Sequence, residues 1–344
     1  MAGQSCDEEL CGAFANLGFV TESKRLIPVL RQAEKAAKVS DITVMLEGET
    51  GTGKQVLAYA IHKLDKKRKS FAFVTVHCGT INESLAESEF FGHERGAFSG
   101  AAIARKGLFQ AAHRGTLFLD DVNDLPQALQ AKLLDVLQRN VVRAVGSDRE
   151  VPVDVRIISA CNRPLTPLVQ QNRFRADLYH RLNVVKLALP PLRDRLQDLP
   201  ALILAFARRH HHIYPGITNI EPELIHFLER QPFDGNVREL EHAVERMLFG
   251  KTEGNSLRLS DWMADCGEES GELRDWIGEA ADRLSNAIFE CRLTYVQAIQ
   301  QIEERVLEIA LSRGGRTRRE VAAGLQTSER TLYHKMRTHR MRRL

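Results

Sequence analysis

The heptapeptide Gly48-Glu49-Thr50-Gly51-Thr52-Gly53-Lys54 constrains this chain more than any other stretch. The apolar run "ITVMLE" precedes it, and a segment of helical pattern starts at Lys54. Glycines between a strand and a helix let successive backbone N–H groups converge on phosphate oxygens. The helix start adds partial positive charge, and a lysine there reaches the outer phosphates. The GxxxxGK spacing in this setting predicts that residues 48–55 cradle the phosphates of a nucleotide. Gln55 stands where a serine or threonine often ligates magnesium, so no hydroxyl is offered at that place. A glycine-rich turn without a ligand is the plainer alternative, and the flanking elements argue against it.

The pattern around this loop sets the fold class. From Asp41 to Pro190 the apolar runs "ITVMLEG", "FAFVTV", "TLFLDDV", "VDVRIISA" and "VVKLALP" alternate with helix-length segments. That alternation predicts an α/β fold, a parallel sheet flanked by helices. The prolines of "LPPLRDR" (Leu189 to Arg195) end the sheet pattern. Helical stretches at 198–212, 222–230 and 237–248 then predict a small all-α subdomain. Residues 252–291 are rich in Gly, Ser and acids and read as a linker with some helix. Further on, Ile299, Ile302, Val306 and Ile309 form one apolar helical stripe. The expected organisation is an extension over 1–18, an α/β body over 19–191, a helical lid over 192–250, a linker over 251–295 and an all-α domain over 296–344.

Two further constellations carry chemistry. "GTLFLDDV" is an apolar strand ending in Asp120-Asp121. Beside a phosphate loop, Asp120 is expected to hold a magnesium ion, and Asp121 to orient or deprotonate an attacking water. Capping of the next element is the alternative use of two such acids. Together with the loop, they point to hydrolysis of a nucleoside triphosphate. The C-terminal "RREVAAGLQTSERTLYHKMRTHR" fits a helix-turn-helix, with Ser328 as N-cap of the second helix. Arg330, Thr331, His334, Lys335 and Arg337 are its candidate DNA contacts, facing bases and phosphates in a major groove. A basic, solvated terminal helix is the alternative. Between Arg313 and Leu344 ten Lys/Arg face only Glu320 and Glu329, in a chain whose net charge is +3. A basic end on a mildly acidic body suits a chain that holds a polyanion with its tail.

Other classes recede. There is no run of about 18 apolar residues and no basic-then-apolar start, so neither a membrane span nor a signal peptide is expected, and the cytoplasm is the expected location. The six cysteines show no CxxC pair, which argues against a disulfide framework or a zinc site.

The motifs "GETGTGK", "ESEFFGHERGAFSGA", "GTLFLDD", "NRFRADLYHRLNVVKLALPPLRDR" and "GNVREL" occur in an order that resembles the bacterial enhancer-binding proteins. These are AAA+ P-loop ATPases that activate transcription by sigma-54 RNA polymerase. The likeness runs from Phe19 to Leu248, and the basic tail resembles their Fis-type helix-turn-helix. The resemblance implies ATP with Mg2+ as cofactors, enhancer DNA and the sigma-54 factor as partners, and assembly into a ring, usually a hexamer. It implies that Gly96, Ala97, Phe98, Ser99, Gly100 and Ala101 form a loop that grips the sigma factor. It implies arginine fingers at Arg175 and Arg181 that act on a neighbouring subunit's phosphates, a first sensor at Asn162 and a second at Arg238.

This chain departs from the family pattern at two paired positions. Asp121 stands for the usual glutamate, and His77 for the usual asparagine that holds it back. The expectation is a substituted switch in which His77 meets Asp121, making hydrolysis slower or pH sensitive. Only about 20 residues precede the ATPase, so no built-in sensory domain is expected and a separate regulatory protein is a possible partner. Two readings follow: an ATP-driven activator of sigma-54 transcription, or a hydrolysis-weakened DNA-binding regulator that uses ATP mainly for assembly.

Overall fold

The computed structural model describes residues 2–264 and, beyond them, Thr294, Gln297 and Gln300. The chain divides into two units, residues 1–265 and 266–344. The helix-turn-helix expected over 296–344, with Ser328, Arg330, Thr331, His334, Lys335 and Arg337, lies outside the described residues.

The five anticipated apolar runs form one parallel sheet: β1 (Val44–Glu47), β2 (Phe73–His77), β3 (Thr116–Asp120), β4 (Arg156–Cys161) and β5 (Val185–Ala188). Their order across the sheet is β2-β3-β4-β1-β5. Both faces are covered, which is why the strands read as continuous apolar runs. In β3, Leu117 and Leu119 enter the core on one face while Phe118 enters the core on the other. The first core takes Phe90 from α4 (Glu83–Phe91), Leu133 and Leu137 from α5 (Gln127–Arg139), and Leu178 and Leu182 from α6 (Ala176–Leu182). The second takes Phe14 from α1 (Ala2–Ala15), Leu30 and Ala33 from α2 (Ile27–Lys38), and Leu57 and Ile61 from α3 (Lys54–Leu64). Residues 1–18 were expected to be a mere extension, yet Phe14 is wholly buried.

A third core belongs to the lid. Leu199, Ile203 and Phe206 of α7 (Leu199–Arg209), Leu224 and Leu228 of α8 (Pro222–Leu228), and Leu240, Val244 and Met247 of α9 (Asn236–Gly250) meet there. The lid is not purely helical, because Asn219–Ile220 pairs in parallel with Ser256–Leu257. Nor does it stop at 250. Leu257 is wholly buried, and Leu259 and Trp262 of α10 (Leu259–Ala264) pack on the same core, within the stretch read as linker. A few apolar residues scattered in polar sequence leave no periodic signal, so only their burial reveals them. The same holds for two short antiparallel pairs in the α/β body, Gly92–His93 with Arg105–Lys106 and Val141–Arg143 with Glu150–Pro152.

Candidate functional site

Each parallel strand delivers its last residue to one edge of the sheet, and the chemistry gathers there. The loop after β1, the carboxylates after β3 and His77 at the end of β2 line one cleft of about 320 Å³. Open α/β sheets bind ligands at this carboxyl edge. The cleft is lined by Thr50 through Gln55 of the phosphate loop, His77, Asp120, Asp121 and Arg238, so most of the expected nucleotide residues come together. Gly48 and Glu49 form the loop's base. Lys54 is buried, and its Nζ donates to the carbonyls of Gly48 (2.7 Å) and Glu49 (3.0 Å). Burial lowers its pKa, against the pull of Asp120 and Asp121.

The lid holds this loop in place. Asn236, wholly buried, donates through Nδ2 to the Thr50 carbonyl (3.0 Å) and to Glu49 Oε2 (3.2 Å), while its Oδ1 accepts the Leu192 N–H (2.8 Å). The Val237 N–H donates to the Gly51 carbonyl at 3.0 Å. Arg193 clasps Glu49 with two hydrogen bonds of 2.8 and 2.6 Å. That guanidinium, and then Asn236, lower the Glu49 carboxyl to about 2. Arg195, buried on the cleft wall, donates to the Thr52 carbonyl at 2.8 Å. Neither arginine was singled out from sequence, nor were Asn236 or the Arg209–Glu241 pair (2.7 Å) of the lid wall. Asn236 and Arg195 do lie within quoted motifs, but only the fold shows that they touch the loop.

The acids and the histidine differ from expectation in one respect. Parallel pairing of β2 with β3 sets His77 opposite Asp120, and its Nδ1 lies 3.1 Å from Asp120 Oδ2. The imidazole therefore meets the first acid and not Asp121, because register places strand partners side by side. Asp121 leaves the strand in a left-handed conformation (φ 50°), its N–H donating to Asp120 Oδ1 at 3.1 Å. Burial, and then the Asp120 carboxylate, raise the Asp121 pKa. The donor set fits a nucleotide-borne divalent cation. Asp120, mostly buried at 14% side-chain exposure, lines the cleft together with Asp121 and Lys54. Gln55, the residue after Lys54, offers no hydroxyl. The thiols of Cys78 and Cys161 are buried below this edge and pushed up to about 12, mainly by burial, so they pack as inert apolar groups.

Three expected residues stand apart from the cleft. Asn162 directly follows β4 and does not line it. Arg175 is half-exposed and forms a two-bonded ion pair with Asp177 (3.0 and 2.7 Å), and Arg181 donates to the Leu137 carbonyl at 2.7 Å. Within one chain neither arginine reaches the phosphate loop.

The glycine-alanine loop closes on itself. The Gly96 N–H donates to the Ala101 carbonyl at 2.8 Å, and the Ala101 N–H to the Phe98 carbonyl at 3.0 Å. Gly96 (φ 81°) and Gly100 (φ 109°) adopt backbone that side chains disfavour, with open space around both. Ala101 is buried as the anchor, and Ser99 is exposed. Phe98 leans edge-on against His93 at 5.1 Å, so Ile103, at 75% exposure, is the barer apolar group. His93 fixes the base of the loop, its Nδ1 2.6 Å from Ser88 Oγ and its Nε2 3.0 Å from the Ile103 carbonyl. The hairpin 141–152 flanks it, with the Glu94 N–H donating to the Val145 carbonyl.

A parallel sheet with a phosphate loop, strand-end acids and a helical lid clamped on that loop defines a nucleotide-binding module of the AAA+ class. Residues 19–188 match the sigma-54 interaction domain, and residues 193–274 match an AAA+ ATPase lid domain. The chain belongs to the sigma-54 interaction family of AAA+ ATPases. It is similar to the DNA-binding transcriptional activator HyfR of Escherichia coli, at 46% identity over 249 residues, which is 71% of this chain and 37% of HyfR. A Nif-specific regulatory protein of Bradyrhizobium diazoefficiens is 43% identical over 251 residues, 73% of this chain and 43% of that protein. Among solved structures, NtrX from Brucella abortus in complex with ATP superposes with a TM-score of 0.64 at 28% identity, covering 93% of this chain and 69% of that one. The chain thus spans well under half the length of these two curated relatives. Among the described residues, no helix is long and apolar enough to cross a membrane.

Proposed function

We propose that this protein is an ATP-dependent activator of transcription by sigma-54 RNA polymerase. The observation that carries the reading is one domain joining a clamped nucleotide cleft to a loop with exposed Ser99, Phe98 and Ile103, in a chain of the sigma-54 interaction family. In this reading ATP enters with Mg2+, the phosphates lie on residues 48–55, and Lys54 turns from its loop carbonyls to the outer phosphates. Asp120 holds the cation, which screens the phosphate charge, and Asp121 orients water. Arg238, on the lid wall, senses the phosphates. Arg175 and Arg181 stand outside their own chain's cleft, which supports assembly into a ring, a hexamer as the family resemblance implies. The loop Gly96 to Ala101 then grips the sigma factor, and the basic C-terminal segment holds enhancer DNA.

The weaker-hydrolysis reading draws on one specific observation. His77 engages Asp120, and the Asp121 carboxyl is both shorter than a glutamate's and raised in pKa. ATP turnover measured against protein concentration decides between the two. A steep rise, with activation of a sigma-54 promoter in a purified system, is expected. No turnover at any concentration would leave the nucleotide-assembled regulator as the function.

A further inference from the structure

We propose that His77 is itself a ligand, beside Asp120, of the divalent cation that accompanies the nucleotide. This chain then favours manganese- or cobalt-type ions over magnesium more than one with asparagine at that position. The inference rests on the nucleotide reading above and extends it by naming the chemistry of the ion.

The geometry comes first. His77 Nδ1 and Asp120 Oδ2 are 3.1 Å apart. Two adjacent ligand atoms, each about 2.1 Å from one octahedral ion, lie about 3.0 Å from one another. The pair already spans one edge of such a shell. The strand register fixes this spacing, since His77 and Asp120 are direct partners across β2 and β3. Asp120 Oδ1 accepts the Asp121 N–H, which leaves Oδ2 as the oxygen facing the imidazole. The His77 ring is half-exposed on the cleft wall, in the same cleft as Lys54 and the phosphate loop.

The chemistry of the donors follows. Among the described residues, no three His, Cys, Asp or Glu side chains form a cage of their own. The ion must therefore take its other ligands from phosphate and water, as nucleotide-bound cations do. Gln55, the residue after Lys54, brings no hydroxyl, and the Thr52 hydroxyl already donates to the Glu49 carbonyl at 2.8 Å. The protein's share is thus one carboxylate oxygen and one imidazole nitrogen. Magnesium demands oxygen ligands and gives up water reluctantly. Imidazole suits the transition metals, whose affinity for nitrogen rises from manganese through cobalt. A neutral ring with its proton on Nε2 presents the Nδ1 lone pair with no change of net charge. The competing role is simpler: Nδ1–H donates to Asp120 and only orients it.

Pulsed electron paramagnetic resonance of the full chain with Mn2+ and ADP separates these roles. With the parent protein, a nitrogen coupling from a directly bound imidazole is expected, changed in the way 15N demands when histidine is 15N-labelled. Among the described residues His77 is the histidine that lines the cleft, so the parent spectrum decides by itself. In His77→Asn the coupling disappears, and the ratio of Mn·ADP to Mg·ADP affinity by calorimetry falls roughly tenfold. Bound Mn·ADP showing phosphorus but no nitrogen coupling overturns the ligand role and leaves the nucleotide reading intact. Failure to bind ADP with either metal overturns both.

Discussion

Gly51 tolerates no side chain, and the reason lies outside the phosphate loop. Its φ is 79°, and an added Cβ would stand 2.0 Å from the Gly235 carbonyl of the lid. Gly51→Ala must move the loop or the lid, at a cost of about 1–3 kcal/mol for the strained backbone alone. A fall in ATP affinity of at least about tenfold is expected by calorimetry; unchanged affinity would show that the two elements part easily. A second residue-scale prediction concerns acid stability. His62 is wholly buried beside Thr116 Oγ1 (3.0 Å), and its pKa is lowered to about 4, chiefly by burial and then by Lys63. An unfolded histidine titrates near about 6.5. Between these values the unfolded chain binds a proton that the folded chain refuses. The stabilisation from a neutral ring is therefore complete above about pH 6.5 and lost as pH falls toward 4, up to about 3 kcal/mol. Urea midpoints between pH 7 and 4 should drop more steeply for the parent than for His62→Gln, and parallel slopes would refute the assignment.

At the scale of elements, the lid and the phosphate loop are joined by few but well-made contacts. Asn236 supplies bonds to Thr50, Glu49 and Leu192 from a fully buried position. Its replacement by alanine strands those partners, at about 1–3 kcal/mol for a buried unsatisfied group. Asn236→Ala should weaken nucleotide binding tenfold or more and lower the melting temperature, whereas Asn236→Asp should recover the Leu192 bond alone. The loop 96–101 makes a different kind of element. Its backbone hydrogen bonds stay between residues 94 and 102, its glycines stand in open space and Ser99 is exposed. Removing the Ser99 hydroxyl should therefore leave ATP turnover near the parent value while sharply reducing sigma-54-dependent transcription. Transcription by Ser99→Ala equal to the parent's would show that the loop works without that hydroxyl. Sequence made the strands, the phosphate loop and the three main lid helices legible, since each carries a period or a motif. The 92–93/105–106 and 141–143/150–152 pairs, and the lid's extension through Leu257 and Trp262, were not legible, because two- or three-residue elements carry no period.

For the whole molecule, one chain holds a cleft that its own candidate fingers do not enter. Arg175 points its charge at Asp177, and Arg181 at the Leu137 carbonyl. Arg175→Ala and Lys54→Ala subunits, each inactive alone, should together recover about a quarter of the parent's turnover when mixed in equal parts at the same total concentration, since an intact loop then meets a neighbour's intact finger. A mixture without turnover would mean that each subunit completes its own site.

Residue order alone determined the fold class, the glycine-rich loop between strand and helix and the acids at the strand end, because strand, turn and helix preferences act over a few neighbouring residues. Only the tertiary structure decided which groups share an edge. Strand register paired His77 with Asp120, lid packing brought Asn236, Arg193 and Arg195 onto the phosphate loop, and burial made His62 a neutral ring. Each of these depends on contacts between residues tens to well over a hundred positions apart, which no local pattern encodes.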